Sequence, residues 1–210
     1  EIAYADAQVG RLFQRLKAGG QWDDALVIVT SDHGEGLGEH GYYFDHGTYL
    51  YDTELRVPLL LRLPLDDSGA ALAAGRRIAG QTRLLDLTPT LLHALMLQVS
   101  CQPSGSSLIP LLRGETADDS RPSIAVGEMD GDVSGYRIEG RKRSLRMNGK
   151  KLVWTSEHWL DATRVPERYE FYDLTADPGE QRDVYDAAAP AGSQQAEMER
   201  QLEAWRRLPA

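Results

Sequence analysis

Three of the chain's five histidines, His33, His40 and His46, fall within the stretch VTSDHGEGLGEHGYYFDH at residues 29–46. Two of them directly follow an aspartate, giving Asp32-His33 and Asp45-His46. A carboxylate oxygen beside an imidazole nitrogen suits a divalent cation. The oxygen is a hard donor, and the nitrogen also admits manganese, zinc or iron. Two adjacent donors do not complete a site, because such ions take about four to eight, so other ligands must come from elsewhere. An imidazole that titrates near neutrality can also hand a proton to a reacting group. Glycines 34, 36, 38 and 41 permit tight turns and a close approach of backbone to a ligand. A lone Asp-His dipeptide in a loop is usually just solvated. What sets this one apart is the strand before it and the second histidine cluster after it.

The elements that must position these groups follow from the apolar pattern. Ala25–Thr30 (ALVIVT) is a short β-rich run that suits a strand covered on both faces. Asp32 then lies at the strand's carboxyl end, where open α/β sheets bind ligands. Residues 1–18 predict an amphipathic helix with Ile2, Val9, Leu12, Phe13 and Leu16 on one stripe, stopped by Gly19-Gly20. Val57–Arg62 is a second buried-strand candidate, and a further strand is expected near Arg76–Ala79. Thr88-Pro89 reads as the cap and first residue of a helix to about Leu97. Ser107–Leu112 is one more helical turn, closed by Gly114, and residues 115–122 read as a linker.

The texture changes after that linker. Ile124–Val126, Ser144–Met147, Lys151–Thr155 and Tyr169–Tyr172 read as strands, the middle two joined by a hairpin at Asn148-Gly149. Residues 193–207 predict a polar helix with Met198, Leu202 and Trp205 on one stripe. The expected fold class is α/β, with residues 1–120 as one domain and a smaller antiparallel α+β subdomain at 121–210.

Composition narrows the function. The chain has 210 residues, 41% of them hydrophobic, enough for a core. Its net charge of −9 makes nucleic acid and anionic membranes poor general partners. An anionic substrate needs a site with its own positive charge. No apolar run reaches the ~18 residues of a membrane span. One cysteine, Cys101, excludes an internal disulfide framework.

The ordered run of motifs resembles the sulfatase family of the alkaline phosphatase superfamily. VTSDHGE at 29–35, GEHG at 38–41, YFDHG at 43–47 and LYDTELRVPL at 50–59 carry the resemblance. LDLTPTLL at 85–92, SLIPLLRG at 107–114, KLV at 151–153 and YDLTADPGE at 172–180 extend it to about residue 186. The fold it implies is the C-terminal part of an alkaline-phosphatase-like sandwich. It makes Asp32 and His33 metal ligands, for calcium first and manganese as the alternative. Most of the family has asparagine where this chain has His33, and histidine there is more like the branch of phosphonate monoester hydrolases and choline-sulfatase-like enzymes. His46 falls where the family places a Lys or His that reaches the transferred group, and it is the catalytic candidate. His40 reads as holding the glycine turn, Arg56 as a partner for Glu54 or Asp52, and His93 and His158 as ordinary residues.

The family's nucleophile motif, Cys/Ser-x-Pro-Ser-Arg, whose first residue becomes formylglycine, belongs far upstream of the metal pair. Cys101-Gln102-Pro103-Ser104-Gly105 imitates it, but glycine replaces arginine and the order is reversed. The implied protein is therefore the C-terminal half of a metal-dependent sulfatase acting on sulfate esters of carbohydrates or other small alcohols. It would lack the formylglycine segment and be inactive alone. The strand at 25–30 would then need the missing N-terminal half or a second copy to cover it. Two other readings stand beside this one: a phosphonate monoester hydrolase or phosphodiesterase on the same scaffold, and a non-catalytic module with a vestigial site. Trp154, Trp159 and Tyr169 are candidates to stack on a sugar, against the commoner role of core aromatics.

Overall fold

The computed structural model describes residues 1–41, 43–47, 49–65, 72–101, 103–115, 122–133, 136–160 and 163–206, with the side chains of 44, 45, 126–133, 136–139, 159 and 160 outside the description. The expected linker at 115–122 and the side chain of Trp159 fall largely or wholly outside it. The described chain forms two compact units. One comprises Glu1–Ser31 and Pro58–Asp118, the other Asp32–Val57 and Asp119–Ala210. No described helix is long and apolar enough to cross a membrane.

The first unit opens with α1 (Ile2–Ala18), which ends at Gly19 with Arg15 and Lys17 in its last turn, where cations complement the helix dipole. None of its residues is buried. Phe13 meets Trp22 at 5.2 Å, and Lys17 and Arg62 flank the same indole at 4.7 and 4.5 Å. Strand β1 (Val27–Thr30) pairs antiparallel with β4 (Leu59–Arg62), Val27 opposite Arg62, and the short strands β2 (Gly36–Leu37) and β3 (Tyr43–Asp45) fall between them in sequence. Within the described residues nothing supplies the covering on both faces that this apolar run suits. Val29 is 38% exposed and Leu60 60%, because the pair is a two-stranded sheet with open faces. The strand expected at Arg76–Ala79 is absent. Gly75 turns the chain in the left-handed region, and Arg76 reaches the Leu112 carbonyl at 3.4 Å.

The helix expected from Thr88 starts earlier, at Leu87, and runs to Ala94. Its start is governed by the fully buried Asp86. The Arg83 guanidinium holds this carboxylate at 2.8 and 3.2 Å, and the backbone N–H of Ser106 donates to it at 2.9 Å. Thr90 continues the chain of bonds, donating to the Asp86 carbonyl at 2.6 Å and accepting from the Leu108 N–H at 2.8 Å. A last short helix, Ile109–Arg113, closes on Gly114 at φ 75°, a left-handed cap.

The second unit is built on a six-stranded antiparallel sheet. In chain order its strands are β5 (Ser123–Val133), β6 (Tyr136–Met147), β7 (Lys150–Thr155), β8 (His158–Leu160), β9 (Thr163–Val165) and β10 (Arg168–Asp173). The order across it is β10-β7-β6-β8-β9, with β5 also lying along β6. Asn148 and Gly149 turn β6 into β7 at φ 52° and 70°, the left-handed pair a two-residue type I′ hairpin requires. Alternation then sorts the side chains onto two faces. Leu145, Met147, Leu152, Trp154 and Phe171 face one way and bury Met198 and Leu202 of the terminal helix Gln194–Arg206. Val153, Tyr172 and Leu174 face the other way, onto Tyr51.

That second face also carries Lys151, fully buried on β7. Its ammonium lies 2.7 Å from the Asp52 carboxylate and 2.7 Å from that of Glu180, while Arg146 stands 3.7 Å from Asp52. The other Glu180 oxygen accepts the Asp52 N–H at 2.6 Å.

Two predictions follow from these buried charges. Lys151→Ala leaves the carboxylates of Asp52 and Glu180 facing each other without their cation. It is expected to lower unfolding free energy in urea by about 3–5 kcal/mol. Burial alone would raise the Asp86 pKa, but the Arg83 and Ser106 donors outweigh it, so the group titrates below its ordinary value. The stability it contributes is complete above the unfolded pKa and is lost as pH falls through the folded one. Wild type is therefore expected to lose more stability than Asp86→Asn as pH drops below about 4. Parallel acid-unfolding curves would refute the assignment.

Candidate active site

Asp32 follows the end of β1 by two positions. Its Oδ1 accepts the His33 N–H at 3.0 Å, and Oδ2 stands 3.8 Å from His33 Nε2. His33 Nδ1 lies 2.8 Å from the Gly34 carbonyl, which can only accept, so Nδ1 carries a proton and, in the neutral ring, Nε2 keeps the lone pair. The bond to the Gly34 carbonyl raises the His33 pKa, desolvation opposes it, and the Asp32, Glu35 and Glu54 carboxylates add to the rise.

His46 lies against His33. The two rings stack with centroids 4.4 Å apart and planes 18° apart. His46 Nδ1 is 3.2 and 3.4 Å from the two oxygens of Glu35, so it donates to that carboxylate. Both imidazoles are about half exposed. Glu35 is the residue the sequence reading passed over. An acid two places after His33, in a loop that returns to a second histidine, was the signal available.

The segment between the rings is held by a second set of contacts. A short hairpin joins Gly36–Leu37 to Tyr43–Asp45. His40, between those strands, sits at φ 58° with its ring 3.8 Å from Tyr51 and nearly parallel to it. Helix α2 (Asp52–Leu55) follows. The Gly34 N–H donates to the Glu54 carbonyl at 2.6 Å, and the Gly47 N–H to the Glu54 carboxylate at 2.8 Å. Tyr51 and Tyr172 both donate to the Glu170 carboxylate, at 3.1 and 3.0 Å. Lys142 caps the Tyr49 ring at 3.9 Å. Burial pulls its pKa down to about 8, with Glu170 opposing.

The pairing expected of Arg56 needs correction, while Trp154, Tyr169, Cys101, His93 and His158 take the commoner role that the sequence offers for each. Arg56 is exposed, and Asp52 and Glu54 are engaged by Lys151, Arg146 and Gly47 instead. Trp154 is a core residue with its indole N–H on Glu167 and Arg206 over its ring, so it has no face for a sugar. Tyr169 is bonded to Glu203 at 2.7 Å and stacked on Tyr185. Cys101 is a free, exposed loop thiol. His93 pairs with Ser107 and His158 with the Ser156 carbonyl. The side chain of Asp45 lies outside the described residues.

For a cation, the fit is partial. The exposed Asp32 carboxylate and the Nε2 lone pair of His33 are two suitable donors on adjacent residues. Among the described residues, no group of three or more His, Cys, Asp or Glu side chains is arranged to hold a metal ion.

Known proteins agree on the scaffold. A solved structure in complex with its substrate, D-glucosamine-2-N,6-O-disulfate, superposes with a TM-score of 0.74 over 98% of this chain and 39% of its own, at 25% identity. The fold is a sulfatase fold. Residues 1–97 match the Sulfatase family model. An N-acetylglucosamine-6-O-sulfatase of Bacteroides thetaiotaomicron is 29% identical over 197 residues, 92% of this chain and 32% of that protein. The multifunctional alkaline phosphatase superfamily protein PehA of Trinickia caryophylli is 36% identical over 180 residues, 85% of this chain and 34% of that protein. Arylsulfatase K of Xenopus laevis is 29% identical over 87% of the chain. These matches support the sulfatase family. The chain spans about a third of the length of the curated relatives it matches.

A Cβ added at Gly34 would stand 2.1 Å from the Thr53 carbonyl oxygen. Gly34→Ala is therefore expected to cost about 1–3 kcal/mol by overpacking. Thermal unfolding measures this cost; an unchanged midpoint would show that the turn yields freely.

Proposed function

We propose that these residues belong to a metal-dependent sulfatase hydrolysing sulfate esters of small alcohols or carbohydrates. Asp32 and His33 are two of the cation's ligands, calcium being the first expectation and manganese the alternative. Bound there, the cation would neutralise the non-bridging oxygens of the sulfate and hold the attacking group. His46 is the proton donor to the leaving alkoxide, with Glu35 holding Nδ1–H so that Nε2 presents the transferable proton. An alkoxide leaves poorly, and a positioned proton donor is worth roughly 10²–10⁴ in rate. The attacking formylglycine comes from a segment outside these 210 residues, so the chain alone does not turn over.

The observation carrying this reading is the 4.4 Å stack of His33 on His46 beside Asp32, in a chain whose fold is that of the sulfatases. The apolar residues left exposed on α1 and on the β1 pair support a further part of the reading. More of a sulfatase domain, or a second copy, packs there.

A second reading has its own support. His33 sits beside the metal carboxylate, and the relative at 36% identity is named multifunctional. On that reading the ester is a phosphate diester or a phosphonate monoester. A non-catalytic role predicts no cation binding at all.

Calcium and manganese titrations by calorimetry, on a form that carries the expected N-terminal half, test the site. Asp32→Ala and His33→Ala are each expected to weaken binding by at least about tenfold. Equal affinity in all three proteins would remove the ligand assignment. The chain by itself is expected to leave 4-nitrophenyl sulfate intact, and sustained hydrolysis would show that it supplies its own nucleophile. In any form that turns over, the rate on bis(4-nitrophenyl) phosphate separates the two ester classes.

A further inference from the structure

We infer that Glu54 is a positioning residue that sets the spacing of the His33 and His46 imidazoles from behind the loop. The inference deepens the reading of Asp32, His33 and His46 as the site and rests on it. Glu54 lies in the four-residue α2, and its residue is 3% exposed. It makes two bonds to two distant parts of the histidine loop. Its carbonyl accepts the N–H of Gly34, next to His33, at 2.6 Å. Its carboxylate accepts the N–H of Gly47, next to His46, at 2.8 Å. One residue therefore ties the backbone beside each ring, and the rings stack at 4.4 Å.

Three further observations favour this over an incidental pair of bonds. Gly34 approaches so closely that no side chain fits there, since a Cβ would meet the Thr53 carbonyl oxygen at 2.1 Å. Gly47 takes φ 89°, a conformation that presents its N–H to Glu54 and that a side chain would resist. The short helix carrying Glu54 is itself fixed at its start. Asp52 is gripped by Lys151 and Glu180, and Tyr51 by Glu170, all within the sheet unit. The tie thus runs from sheet to α2 to both histidines. The carboxylate acts through hydrogen-bond acceptance at Gly47, so an amide of the same shape should replace it.

The test is a solution NMR measurement on the 210-residue chain without added metal. Wild type should show a cross-relaxation peak between the His33 and His46 ring protons. Glu54→Ala should lose it while the methyl shifts of Leu145 and Leu152, in the opposite core, stay unchanged. Glu54→Gln should keep it, because its amide oxygen still accepts from Gly47. A peak that survives in Glu54→Ala, or that is missing from Glu54→Gln or from wild type, overturns the inference. Should Glu54→Ala not fold, amide exchange in wild type decides. Gly34 and Gly47 are expected to exchange at least about a hundredfold slower than unprotected amides, and free exchange at either would overturn it. The peak needs no cation, so the clamp and the metal-site reading fail separately. A form carrying the expected N-terminal half that binds no cation, while the 210-residue chain keeps the Glu54-dependent peak, removes the site reading alone.

Discussion

The Lys151 ammonium is the group on which the second unit turns. It sits fully buried on β7, and a lone ammonium there would carry a desolvation cost of several kcal/mol. Asp52 and Glu180, each 2.7 Å away, make its burial tolerable. Those two carboxylates come from segments far apart in sequence, one just past the histidine loop and one in the turn after β10. The ion cluster therefore does more than offset a charge. It fixes where α2 lies on the sheet, and α2 fixes the loop. A hydrophobic residue in place of Lys151 could fill the space, yet it could not choose Asp52 as its neighbour. The cluster's value lies in specifying one arrangement, in the way buried polar groups set register elsewhere.

Much of the scaffold was legible in the residues. The Asn148-Gly149 hairpin, the strands at β7 and β10, the first helix and the terminal helix all follow from local rules of period and turn chemistry. Local rules also explain the failures. Thr88-Pro89 imitates a helix start, but the true start answers to Asp86, whose partners Arg83 and Ser106 are fixed only by the fold. Arg76–Ala79 has the length of a strand but two adjacent arginines and too little apolar area to hold one. The run at 25–30 is apolar enough for covering on both faces, and among the described residues it has one strand neighbour and open faces, as is expected of it without a covering segment.

The candidate site divides the same way. Asp32, His33 and His46 stand out by type and spacing, and the family motifs sharpen them. What neither spacing nor motif reveals is the return of the loop onto itself. Stacking of the two rings needs the chain to reverse across thirteen residues, and the reversal depends on Glu54 and on the left-handed turns at His40 and Gly47. Glu35 was visible as an acid in the motif, but its role depends on where His46 lands. Trp154 and Tyr169 take the commoner of the two roles that the sequence left open. Their types suggest sugar stacking, and their burial against the terminal helix shows that they serve the core.

The long reach of these anchors bears on how the protein comes into being. Asp52 meets Glu180 across 128 residues of chain, and Tyr51 meets Glu170 across 119. Closing loops of that length costs conformational entropy that local contacts do not repay early. During synthesis the histidine loop leaves the ribosome well before β7, β10 or Glu180 exists. Until those arrive, the imidazoles have no frame to hold them. The chemistry of the loop is thus among the last features to be assembled, after the sheet that follows it has been made.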